Sequence, residues 1–106
     1  MIDKQARADL RASIQKAQRQ IDALAVAQPA ATARWAPFRE QLAALADWLK
    51  GDALPEPENL DRITLGNMAL RELGETRDDT PPELRPLRQE LISIQNEVMN
   101  FYAPFP

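Results

Sequence analysis

Leu84, Leu87, Leu91, Ile94, Val98 and Phe101 follow one another at spacings of three, four, three, four and three residues, and that rhythm leaves few folds open. An α-helix turns about 100° per residue, so the spacing lines all six side chains along one face, whereas a strand would scatter them over two. A second stripe, Leu10, Ile14, Ala17, Ile21 and Leu24, predicts a helix from about Asp3 to Ala27. No segment alternates apolar with polar residues as a half-buried strand does. The pattern predicts an all-α chain.

Proline, glycine and capping residues divide the remainder. Pro29 interrupts the first helix, and a second should begin between Thr32 and Pro37, because proline fits a first helical turn better than an interior. Phe38, Leu42, Leu45 and Leu49 form its inner face and Gly51 is a natural stop. The prolines of "DALPEPE" mark a loop, after which Asn59 can cap a third helix that ends at Gly74. Thr80, followed three residues later by Glu83, has the arrangement of a capping box, so the fourth helix should start there. Pro86 lies deep enough to make its first turn distinct from the rest. Four amphipathic helices with short connections predict one domain over residues 1–106, folded as a four-helix antiparallel bundle.

Composition removes whole classes of chemistry. With Cys 0 and His 0, the 106 residues hold no thiol nucleophile, no histidine base, no disulfide and no zinc site built on either residue. No apolar run is long enough to span a membrane, and the charged start "MIDKQARADL" is unlike a signal peptide, so the expected location is the cytoplasm. Charge is uneven: residues 1–51 carry 8 basic and 5 acidic side chains, and residues 52–106 carry 5 and 11.

Each remaining chemical candidate has a plainer explanation. Glu58 with Asp61, and Glu72 with Glu75, have the one-turn spacing of carboxylate–Mg sites, but neither pair has both members on firm helix and no facing pair exists. Arg7, Arg11 and Arg19 are diluted by Asp9 and Asp22 and lack interleaved aromatics, which argues against nucleic acid. Asp78 and Asp79 read as turn residues. The tail "NFYAPFP" can fold back over the helices or dock into a partner groove. No catalytic residue, cofactor or metal is expected.

The third helix poses a sharper question. Wound from Leu60, it places Ile63, Gly66, Leu70 and Leu73 on one stripe, where glycine would let a neighbouring helix approach closely. Leu65 and Met68 fall opposite, among Asp61, Thr64, Arg71 and Glu72, with Glu75 just beyond. An apolar centre with a charged rim has the composition of a small protein interface. The alternative is that a neighbouring helix covers both residues.

The stretch "RITLGNMALRELGET", followed by "PPEL", resembles a small all-helical immunity protein family of bacterial type VI secretion, whose target is an interbacterial toxin that hydrolyses NAD and NADP. The resemblance rests on Arg62, Thr64, Leu65, Gly66, Ala69, Arg71, Glu72, Glu75, Thr76, Pro82, Glu83 and Leu84, about a quarter of the chain, with looser agreement through "PFREQLAALADWL". It implies a non-enzymatic, cytoplasmic inhibitor that occludes the active site of a cognate toxin domain, an NAD(P) glycohydrolase. The competing expectation from the residues alone is a non-catalytic adaptor whose spare apolar stripe makes a homodimer.

Overall fold

A computed structural model describes residues 4–50, 58 and 62–102. Every regular element among them is helical: α1 (Lys4–Ala27), α2 (Thr32–Trp48), α3 (Leu65–Leu73) and α4 (Arg85–Tyr102), with 3-10 turns at Pro29–Ala31 and Pro82–Leu84. No helix of the described residues is long and apolar enough to cross a membrane. The chain falls into two compact units, Met1–Ala53 and Leu54–Pro106. Gly51, Asn59, Leu60, Asp61 and the tail beyond Tyr102 lie outside the described residues, as do the side chains of Phe101 and Tyr102.

In the first unit α1 packs on α2. Leu10, Ile14, Ala17 and Ile21 are buried as their spacing demands, but the stripe closes on Ala25 rather than Leu24, which is half-buried. Leu24 and Ala25 lie at about equal angles, roughly 50°, on either side of the stripe's centre, so spacing alone does not choose between them. On α2, Phe38, Leu42 and Leu45 are buried, as is Leu49 just beyond its end, and Trp35 extends the same series one turn back, its ring centroid 5.8 Å from that of Phe38. The helix begins at Thr32, so Pro37 sits inside it and removes one backbone donor of the second turn. Arg39 Nη2 meets Asp22 Oδ1 at 2.6 Å, joining the two helices at their exposed edge.

In the second unit α3 packs on α4. Leu84, Leu87, Leu91, Ile94 and Val98 are all buried, so the most regular stripe in the sequence is core along its described length. Thr80 does not cap α4. Its buried hydroxyl donates to the Thr76 carbonyl at 2.8 Å, and the Thr76 hydroxyl oxygen accepts from the Asp79 N–H at 3.1 Å. Both polar groups of Thr80 are committed to the preceding turn, its N–H donating to the Arg77 carbonyl at 3.2 Å, so the reciprocal bonds of a capping box with Glu83 do not form. The chain then passes through the 3-10 turn and enters α4 at Arg85, which places Pro86 in the first turn, where its missing N–H costs nothing.

Candidate functional site

α3 begins at Leu65, with Thr64 at the N-cap position, and Arg62 and Ile63 precede it as non-helical chain. This start corrects the helical wheel. Projecting from Leu60 carries helical geometry through Arg62, Ile63 and Thr64, which do not have it. Within Leu65–Leu73, Met68, Leu65, Ala69, Leu73 and Gly66 are buried along one side, interrupted by the exposed Glu72 between Met68 and Leu65, while Leu70, Asn67 and Arg71 turn outward. Leu65 (0%) and Met68 (6%) are therefore buried, not the solvent-facing centre of an interface.

The other expected interface residues separate accordingly. Arg71, Glu72 and Glu75 are exposed, Thr64 is half-buried, and Asp61 lies outside the described residues. Arg71 Nε and Glu72 Oε1 stand 3.5 Å apart as an exposed neighbouring pair. Glu58 is exposed, and no three acidic residues of the described set converge as a cation site. Arg11 and Arg19 are exposed on α1, and Arg7 is half-buried.

What the second unit does present is a groove of about 360 Å³ between α3 and α4. Ile63, Thr64, Gly66, Asn67 and Leu70 line one wall, and Ile92, Gln95 and Asn96 line the other. Gly66 explains why the helices come so close there: a Cβ at this position would stand 3.4 Å from both Cβ and Cγ of Gln95. Its amide also points at that residue. The first N–H groups of a helix have no intrahelical partner, and Thr64 supplies no side-chain cap, so Gln95 Oε1 accepts from the Gly66 N–H across the groove at 3.4 Å, a long bond.

The groove thus has a partly apolar floor, with Leu70 and Ile92 half-exposed, and amide side chains at its lips. Exposed charges lie on the same chain stretch, Arg62 before the helix and Arg71 one position round from Asn67, whereas Glu72 falls on the opposite side of α3. An apolar centre bordered by polar and charged groups is suited to binding a protein surface, because the centre excludes water while the rim fixes orientation. Ile92 and Gln95 escape a reading based on stripes, since they flank the regular series on α4 rather than belong to it.

Comparison of the chain with family models, with curated proteins and with solved structures returned no match.

Proposed function

We propose that the chain is a cytoplasmic immunity protein that binds the toxin domain of a cognate antibacterial effector and occludes its active site, the toxin being an NAD(P) glycohydrolase delivered by type VI secretion. The observation that carries this reading is the division of labour within the stretch from Arg62 to Leu84 that resembles such immunity proteins. Leu65, Gly66, Ala69 and Leu84 are buried and build the helix pair, while Arg62, Arg71, Glu72 and Glu75 are exposed and charged on the same stretch of chain that supplies Leu70 to the groove. Charged positions that packing does not require are free to select a partner. In this proposal the groove receives an apolar side chain of the toxin and the flanking charges set its register. The four helices would associate as an antiparallel bundle that holds this face rigid.

The test pairs the purified chain with the toxin domain encoded beside it. Stoichiometric suppression of NAD hydrolysis, and its relief by Leu70→Glu, is the expected result. Full hydrolysis at an excess of the chain overturns the proposal. So does a concentration-dependent homodimer that buries Leu70 while the toxin domain stays unbound, which is the outcome expected of an adaptor.

A further inference from the structure

Three arginines line a second groove in the unit Leu54–Pro106, at the start of α4. It measures about 410 Å³ and is lined by Arg77, Pro82, Arg85, Pro86, Arg88 and Gln89, with no carboxylate among the described residues that form it. Two of the arginines are fixed by the turn they face. Arg85 Nε donates to the carbonyls of Arg77 at 2.9 Å and Thr80 at 3.1 Å. Arg88 donates from Nε to the Gly74 carbonyl at 2.9 Å and from Nη2 to the Glu75 carbonyl at 2.8 Å. These bonds hold both guanidinium planes yet leave both Nη groups of Arg85 and the Nη1 group of Arg88 with donors to spare. Neutral carbonyls satisfy geometry without cancelling charge.

We propose that this groove binds a phosphate group, held between Arg77, Arg85 and Arg88. Three like charges gathered in one concavity repel one another, and a bound dianion would turn that repulsion into attraction. The guanidinium fork matches phosphate oxygens in pairs, and a tetrahedral anion can meet three forks from three directions, which a planar carboxylate cannot. Stapling the turn accounts for Arg85 and Arg88 but leaves Arg77 unexplained, since its exposed side chain makes no bond to any described residue. Carboxylates are close in sequence, at Glu75, Asp78, Asp79 and Glu83, yet all four are exposed and none lines the groove. The acidic excess of residues 52–106 disfavours a long polyanion such as nucleic acid and leaves a compact phosphate as the fitting ligand. The proposal stands apart from toxin binding, because other residues form this groove.

Titration of the full chain with inorganic phosphate at constant ionic strength, followed by amide and arginine Nε–H resonances, tests it. Saturable shifts confined to residues 74–89 are expected, with sulfate competing. Arg77→Ala should weaken binding about tenfold without moving the melting temperature, since its side chain holds nothing in place. Gln89→Glu, which puts a carboxylate into the lining, should abolish binding by repulsion. Glucose 6-phosphate, run as a second arm, separates the two sources of the anion: equal or tighter binding assigns a phosphate ester, and weaker binding assigns the free ion. Shifts that grow linearly with phosphate, that chloride reproduces, or that persist unchanged in both variants overturn the site and leave only a diffuse ion atmosphere.

Discussion

Gly74 ends α3 with φ 139° and ψ 139°, a conformation that L-residues rarely adopt. Replacing it with alanine should destabilise the chain through two separable effects. The backbone conformation alone costs a residue with a Cβ on the order of 1–3 kcal/mol. The new Cβ would also lie 2.5 Å from Thr80 Oγ1, 3.0 Å from the Thr80 nitrogen and 3.1 Å from the Asp79 carbonyl carbon. The hydroxyl must then leave its 2.8 Å bond to the Thr76 carbonyl, and Thr80 is 1% exposed, so water does not replace that bond readily. A buried hydroxyl left without a partner costs about 1–3 kcal/mol. Against these stands a gain of about 0.4–1 kcal/mol, because alanine restricts the unfolded chain more than glycine does.

The net loss should be about 3 kcal/mol, a large share of the roughly 5–15 kcal/mol that a typical domain has. Urea denaturation followed by circular dichroism measures it as a fall in midpoint at unchanged slope. A double-mutant cycle with Thr80→Ala isolates the clash with the hydroxyl: without it, Gly74→Ala should cost about 1–3 kcal/mol less, leaving the backbone conformation and the contacts to the Thr80 nitrogen and Asp79 carbon. A Gly74→Ala variant as stable as the parent refutes the reasoning at its root. Equal losses in the two backgrounds refute the clash with the hydroxyl and leave only the backbone cost.

Met68→Lys should lower stability by about 3 kcal/mol or more, since it buries an unpaired ammonium, and thermal melts will show it unfolding alongside Leu65→Lys. Leu70→Glu should melt within a few degrees of the parent while weakening toxin-domain binding by about 2 kcal/mol, read by calorimetric titration. Gly66→Ala should be nearly neutral in chemical denaturation, because about 1 kcal/mol of helix propensity is offset by the tight 3.4 Å approach to Gln95. Gly66→Val should fail the same assay by more than about 2 kcal/mol, since its branches would enter the space that Gln95 fills.

How well the sequence could be read depends on how many helical turns each stripe spans. α4 has 18 residues and α1 has 24, so several turns vote on the direction of the inner face, and one ambiguous position such as Leu24 or Ala25 moves it little. α3 has 9 residues, two and a half turns, and each face is defined by only two or three side chains. Extending its wheel back past Leu65 added Ile63, which precedes the helix and does not share its phase. That extension centred the inner stripe on Ile63, Gly66 and Leu73, which are buried, and left Leu65 and Met68 as a second face that either solvent or a neighbouring helix could cover; they are buried too. Asn59 invited the error, being as good a capping residue by composition as Thr64, and which of two such residues starts a helix is set by packing that a linear pattern does not contain.

The same limit explains which part of the candidate site was legible. Gly66 announced a close helix contact, because a glycine on an apolar stripe gives up helix propensity, and the 3.4 Å spacing to Gln95 shows where that contact is made. It could not announce Gln95 or Ile92, 29 and 26 residues further along the chain, because neither has a local signature and the register of α4 against α3 decides their arrival at the groove. Exposed charges were the opposite case. Arg71, Glu72 and Glu75 were correctly placed on the surface, since burying an unpaired charge is costly on any face and their exposure does not depend on which way the helix is turned. An interface read from such a chain is therefore better sought from its charged rim inward than from its apolar centre outward. For α3 that search runs from Arg71, past Asn67, to Leu70 and the groove.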